Sequence, residues 1–125
     1  MRTILAIIFM TFATQVSAQE PFNTNEMRAW YPFCKIYSDS RATSDLELMA
    51  GAFCMGAIRA TQQTGSLFCN IDEANTGIGI DATFANNQTL MLVVLNFYEQ
   101  NAHILETLTL SAVALMAMID AYPCE

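Results

Sequence analysis

Four cysteines carry most of the chemistry that this sequence could perform: Cys34, Cys54, Cys69 and Cys124. Three roles are open to them, namely a zinc site, a catalytic thiol or disulfide bonds. Their spacings of 20, 15 and 55 residues contain no Cys-x-x-Cys pair of the kind that structural zinc sites use. A catalytic thiol needs a neighbouring base, and His103 is the single histidine. Disulfides are therefore the favoured interpretation, and four cysteines allow three pairings.

Other groups of reactive residues give weaker signals. Glu99, His103 and Glu106 can share one helical turn, which could hold a metal or act as a pH switch. Such a group is more typical of a solvated helix start. The sequence at 77–79, Gly-Ile-Gly, is too short for a phosphate-binding loop and has no Lys or Arg nearby. We therefore expect no catalytic residue, no metal and no cofactor, and we do not expect an enzyme.

The first 18 residues predict export. Arg2 precedes an apolar run at 4–10, and the segment ends in Val16-Ser17-Ala18. Small side chains at these last positions are what signal peptidase accommodates, so we expect cleavage after Ala18. The apolar run is shorter than the roughly 20 residues that a membrane span requires. We therefore predict a cleaved signal peptide at 1–18, a periplasmic protein with no membrane span, and an oxidising compartment that favours disulfides.

The remaining 107 residues, 19–125, are predicted to form one domain. The whole chain has a net charge of −7, and loss of Arg2 leaves four basic against twelve acidic residues, a net charge of −8. Such a charge argues against nucleic acid as a partner. It would steer the molecule towards a basic protein surface or serve solubility alone.

Helical patterns occupy the first half of this domain. A helix is predicted from Asn25 to about Tyr37, on both sides of Pro32. A capping box at 44–47, Ser-Asp-Leu-Glu, starts a second helix that we expect to run to Gln63 and to stop at Gly65. Within it, small residues stand at four-residue spacing: Ala52, Gly56 and Ala60. Such a row allows another backbone to approach the helix closely, so we predict that this helix is central in the fold.

The second half is predicted to contain two more helices. Residues 66–85 have no sustained period and are expected to form a long loop, and Asn86 or Asn87 is expected to cap a helix through 90–98. The segment 99–102 is then a short connection to the last helix. Its buried stripe is expected at Leu105, Leu108, Ala112, Leu115, Ile119 and Tyr122, and Phe53 of the second helix should also be buried.

Several motifs in this order resemble a known family. They are Phe-Cys-Met-Gly-Ala-Ile at 53–58, Phe-Cys at 68–69, a valine-rich helix ending in Phe-Tyr at 97–98, and Ala-Tyr-Pro-Cys at 121–124. The chain is similar to the periplasmic immunity proteins that neutralise peptidoglycan amidase effectors delivered by type VI secretion. The resemblance implies an all-α compact bundle of four to five helices, often a homodimer, that binds the amidase and blocks its cleft.

An inhibitor of this kind needs contact residues in place of catalytic ones. The expected partner-binding residues lie in the two predicted loops: Glu99, Gln100, Asn101 and His103, then Asp72, Glu73 and Asp81. A competing interpretation is a small periplasmic helical chaperone of the acid-stress type, which would expose apolar surface when its carboxylates are protonated.

The predicted helices also suggest a disulfide pairing. If the last two helices are antiparallel, Cys124 comes close to the loop that carries Cys69. The first helix, which ends near Cys34, would then be linked to the middle of the capped helix at Cys54. We therefore predict the pairs Cys34–Cys54 and Cys69–Cys124.

Overall fold

The computed structural model describes residues 21–71, 80–81 and 85–124. Within them a 3-10 helix at Pro21–Asn23 is followed by four α-helices: α1 (Met27–Ser38), α2 (Asp45–Ile71), α3 (Asn87–Leu105) and α4 (Leu110–Ala121). The predicted all-α bundle with two disulfides is confirmed. In the part of the chain that is described, no helix is both long and apolar enough to cross a membrane. The predicted signal peptide at 1–18 lies outside the described residues.

Three helix starts are fixed by local side chains. The capping box of α2 is confirmed, because Glu47 N donates to Ser44 Oγ at 3.1 Å and Ser44 N donates to Glu47 Oε2 at 3.2 Å. Asn86 caps α3 as expected, with its Oδ1 accepting from the amide of residue 89 at 2.8 Å. Thr109 caps α4 by accepting from Ala112 N at 3.1 Å.

The first helix is continuous through Pro32 and ends at Ser38, so the prediction of helix on both sides of the proline is confirmed. Its start has no side-chain cap. Its first amides instead donate to the turn between α3 and α4, from Met27 N to Leu108 O at 2.7 Å and from Arg28 N to Glu106 O at 3.1 Å. In the other direction, the amide at position 110 donates to Asn25 O at 3.1 Å. We call this set of bonds the α1 clamp.

The second helix is longer than predicted, and the stop at Gly65 is wrong. The helix continues to Ile71 and includes the first six residues of the predicted loop at 66–85. Gly65 is buried, and a Cβ there would overlap the side chain of Ile80, whose amide donates to Gly65 O at 3.2 Å. The glycine therefore serves close packing inside a helix. Most of the remaining loop lies outside the described residues.

The small-residue row of α2 does not face another helix of the chain, contrary to expectation. Ala52, Gly56 and Ala60 are all exposed, and a Cβ on Gly56 would meet nothing within 4 Å. The close contact between α2 and another helix lies instead on the opposite side of α2, where a Cβ on Gly51 would overlap the ring of Tyr37 in α1. The physical reason is that the buried side of α2 is set by its disulfide and by the contacts with α1.

The boundary between the last two helices was predicted too early. Residues 99–102 are not a connection, because α3 runs on to Leu105 and the turn lies at 106–109. The backbone does depart from helical geometry at Asn101, with φ −127° and ψ 19°. The sequence signal for a break at 99–102 thus corresponds to a kink, and Asn101 Nδ2 stabilises it by donating to Phe97 O at 2.9 Å.

The core lies where all four helices meet, and the predicted buried stripe is only partly right. Leu105 is buried as expected, but Leu108, Leu115 and Phe53 are exposed, and half-buried positions are Ala112, Ile119 and Tyr122. The apolar residues of α4 cover every side, so its sequence fits two stripes equally well. The buried one consists of Leu110, Val113, Ala114, Ala117 and Met118.

Candidate partner-binding site

The two disulfides have the predicted pairing and hold different parts of the bundle. Cys34–Cys54 joins the centres of α1 and α2 at a Cα–Cα distance of 5.7 Å and is fully buried. Cys69–Cys124 joins the last turns of α2 to the residues after α4 at 5.4 Å and is half-buried. Two intact disulfides in a small domain are consistent with an oxidising compartment.

Four predicted contact residues lie on the last turns of α3, on both sides of the kink. Glu99, Gln100 and His103 are exposed and Asn101 is half-buried. The structure therefore brings these four together, although on a helix and not on the loop that the sequence predicted. The α1 clamp holds the turn at 106–109 that follows α3. This polar group therefore lies between the body of α3 and a turn that is itself held in place. We call these four residues the α3 tip.

Glu99 of the α3 tip is engaged by α1. Its Oε1 accepts a hydrogen bond from Tyr31 Oη at 2.5 Å and lies 3.7 Å from Lys35 Nζ. Burial, followed by the hydrogen bond to Glu99, raises the pKa of Tyr31 to about 12. The protonated phenol donates to the carboxylate of Glu99, which links α1 to the α3 tip. Sequence reasoning missed Tyr31 and Lys35, because the pairing of α1 with α3 leaves no local signal.

The group formed by Glu99, His103 and Glu106 does not form a metal site. Among the described residues, no cluster of three or more His, Cys, Asp or Glu side chains could hold a metal ion. Glu106 lies in the turn, where its carbonyl accepts from α1. The α3 tip thus presents hydrogen-bonding groups at a fixed position.

Of the second predicted set of contact residues, the structure describes Asp81, which is separate from the α3 tip. Asp81 is exposed, and its amide donates to Tyr122 O at 2.8 Å, just after α4. A helix of twelve residues is about 18 Å long, so Asp81 and the α3 tip lie at opposite ends of α4. Asp72 and Glu73 lie outside the described residues.

An aromatic cluster that the sequence did not predict lies beside the α1 clamp. Trp30 and Phe53 stack with their ring centres 4.7 Å apart, and Phe22 meets both rings edge-on. The indole Nε1 of Trp30 donates to Thr24 O at 3.0 Å. Beside the cluster is a depression of about 250 Å³, bordered by Asn25 and further residues of α2 and α4. Phe53 was expected in the core, and its exposure follows from its place on the outer side of α2.

Comparisons of the chain with protein-family models, with curated proteins and with solved structures found no match.

Proposed function

We propose that the exported protein is a periplasmic immunity protein that binds a peptidoglycan amidase effector and blocks its active-site cleft. The observation that carries the proposal is the ordered set of motifs, together with the two disulfides that the four cysteines of the chain close. Three of these cysteines belong to the motifs that carry the family resemblance. Stoichiometric inhibition requires a rigid scaffold with exposed contacts and no catalytic residues.

The α3 tip is the best candidate for the contact surface. Glu99 is held by Tyr31 and Lys35, and Asn101 is held by the carbonyl of Phe97. Side chains that are already ordered lose less conformational entropy when a partner binds. Gln100 and His103 are exposed on the same turns of α3 and can reach donors and acceptors of an amidase cleft. The negative charge of the chain would speed its encounter with a basic surface.

The test is a titration of a Cys/His cell-wall amidase, chosen from a reading frame adjacent to this gene, with the purified mature protein. We expect inhibition to reach its end point at a fixed molar ratio, with no turnover by the inhibitor itself. The double variant Gln100→Ala, His103→Ala should bind at least about tenfold more weakly, because buried contacts of this kind are worth about 2 kcal/mol or more. Its melting curve should be unchanged, since both side chains are exposed.

Two controls make the result specific. Gln63→Ala removes an equally exposed amide from α2 and should leave inhibition unchanged. Asn101→Ala should lower thermal stability as well as inhibition, because Asn101 holds the kink of α3. Full inhibition by the Gln100, His103 double variant would exclude the α3 tip as the contact surface. Absence of binding to every adjacent amidase would contradict the proposal itself.

One observation favours the chaperone as a second candidate. Large apolar side chains are exposed on α2, with Met49 exposed to 63%, Phe53 to 55% and Leu67 to 62%. Exposed apolar surface of this kind can hold unfolded clients. Suppression of client aggregation at low pH, with no protection of cells against any amidase, would decide for the chaperone.

A further inference from the structure

A groove runs between α2 and α4, and it begins at the aromatic cluster. The depression of about 250 Å³ beside this cluster is continuous with a second depression of about 400 Å³ farther along the two helices, because Ala57 and Ser111 border both. From Phe53 to Thr64 the groove follows α2 for about 16 Å at 1.5 Å per residue. Its volume is in the range of small-molecule sites. We call it the α2/α4 groove.

An ordered aromatic ring borders one end of the α2/α4 groove. Phe53 is 55% exposed, and its ring stacks on the buried indole of Trp30 with ring centres 4.7 Å apart. The face of an aromatic ring is slightly negative and packs well against C–H groups, which are slightly positive. Since the ring of Phe53 is already held by Trp30, little conformational entropy is lost when a ligand packs on it.

Hydrogen-bonding side chains follow along the groove. Those that carry a hydroxyl or an amide are Asn25, Thr61, Thr64, Thr109 and Ser111. Thr61 Oγ1 donates to the carbonyl of residue 57, and Thr109 Oγ1 accepts from the amide of residue 112. The first oxygen can therefore still accept a hydrogen bond, and the second hydroxyl can still donate one. The side chains of Asn25, Thr64 and Ser111 are exposed and accessible to a ligand.

The chemistry of this lining favours one class of occupant. None of the described residues that border the groove is charged, so an anion or a cation would lack a side chain of opposite charge. The backbone groups of α2 and α4 are bonded within their own helices, so an extended peptide would find no row of donors and acceptors to pair with. The lining instead suits a neutral molecule that combines apolar C–H faces with many hydroxyl groups.

We propose that the α2/α4 groove binds a neutral oligosaccharide, with one pyranose ring packed on Phe53 and the hydroxyls of the following rings paired with the polar side chains of the groove. A pyranose ring has C–H groups on its faces and hydroxyls at its edge, which matches an aromatic ring followed by hydroxyls and an amide. This binding goes beyond the proposed amidase inhibition. It uses none of the α3 tip residues, so either activity can fail without the other.

The test measures sugar binding by the mature chain with both disulfides intact. The probes are chitotriose, which carries acetamido groups, and cellotriose, which does not. Trp30 is the single tryptophan and borders the groove, so its fluorescence reports a ligand that packs near Phe53. Titration to about 20 mM is required, because an open groove binds weakly. We expect a dissociation constant of about 1 mM for at least one probe, with NMR shifts of backbone amides at 57–64 and 109–112.

Substitutions at exposed positions separate the ring from the polar groups. Phe53→Leu keeps an apolar side chain and removes the ring, so it should weaken binding about fivefold, and Phe53→Tyr should retain binding. The double variant Asn25→Ala, Ser111→Ala removes two hydrogen bonds and should weaken binding about tenfold. The matched control Asn96→Ala removes an exposed amide from α3 and should leave binding unchanged. Affinities of the Phe53 variants are taken from the NMR shifts, because these changes also alter the surroundings of Trp30.

The outcomes are distinct. Absence of any change in fluorescence and NMR shifts with both sugars up to about 20 mM would overturn the proposal. Binding that persists unchanged in both Phe53→Leu and the double variant would also overturn it, since the sugar would then lie elsewhere. Weaker binding in either of them, with Asn96→Ala unchanged, supports it. Failure of the amidase titration would leave this result intact, because no amidase takes part in the measurement.

Discussion

The two methionines of α4 near its C-terminal end provide a matched test of which side of this helix is buried. Met118 is fully buried and Met116 is 43% exposed. Truncation of Met118 to alanine removes three buried heavy atoms, which is worth about 2 kcal/mol of transfer free energy at about 0.8 kcal/mol per methylene. The cavity that remains adds up to about 2 kcal/mol more. We expect Met118→Ala to lower the free energy of unfolding by about 2–4 kcal/mol and Met116→Ala by less than about 1 kcal/mol.

The assay is equilibrium unfolding in urea under non-reducing conditions, followed by far-UV circular dichroism. Thermal melts should show the same order, with a decrease of about 8–30 °C for Met118→Ala, because 1 kcal/mol corresponds to about 4–8 °C in a domain of this size. Measurements at two protein concentrations separate the packing of the core from any self-association, since only association makes stability depend on concentration. Equal losses in the two variants, or a loss below about 1 kcal/mol for Met118→Ala, would show that α4 is rotated.

Three further predictions concern single groups. Hydrogen bonds from backbone amides lower the pKa of Glu47. The Glu47 carboxylate therefore stabilises the fold above its unfolded-state pKa, and this contribution is lost as the pH falls through its folded-state pKa. Thermal melts from pH 7 to 3 should show a weaker pH dependence in Glu47→Gln. The half-buried Cys69–Cys124 bond should be reduced before the buried disulfide, which alkylation and mass spectrometry would show. Its loss should lower the free energy of unfolding by about 4 kcal/mol, because the unfolded chain gains conformational entropy. Gly51→Ala should destabilise by about 1 kcal/mol or more in a urea melt, because its Cβ would overlap the ring of Tyr37.

Features set by short-range chemistry could be predicted from the sequence. The capping box at Ser44 and Glu47 and the cap at Asn86 were correct because a cap depends on residues three positions apart. The disulfide pairing was correct because it required only the approximate order and direction of the helices. The cap of α4 at Thr109 was not predicted, because the apolar pattern that begins at Leu105 placed the start of the last helix too early.

Features set by packing could not be predicted in the same way. In the sequence, Gly65 is typical of a helix stop. The structure places the side chain of Ile80 against it, which shows that the lack of a Cβ at Gly65 serves packing. The buried side of α4 could not be chosen because polar residues that would mark a solvent side are almost absent from it. The sequence shows that the residues of the α3 tip are polar, but their place on a helix and the contact of Glu99 with Tyr31 depend on how α1 lies against α3.

The α1 clamp makes the beginning of the first helix depend on a turn about 80 residues later in the chain. Met27 and Arg28 have no local acceptors at this helix start, and their amides are satisfied by Leu108 and Glu106. Opening the turn therefore exposes the start of α1, and unwinding the start of α1 leaves the turn without its donors. These two segments should behave as one cooperative unit, with similar hydrogen-exchange rates for Met27, Arg28 and Leu110. Closing so long a loop costs chain entropy, so we expect the α1 clamp to be a slow contact of the fold to form.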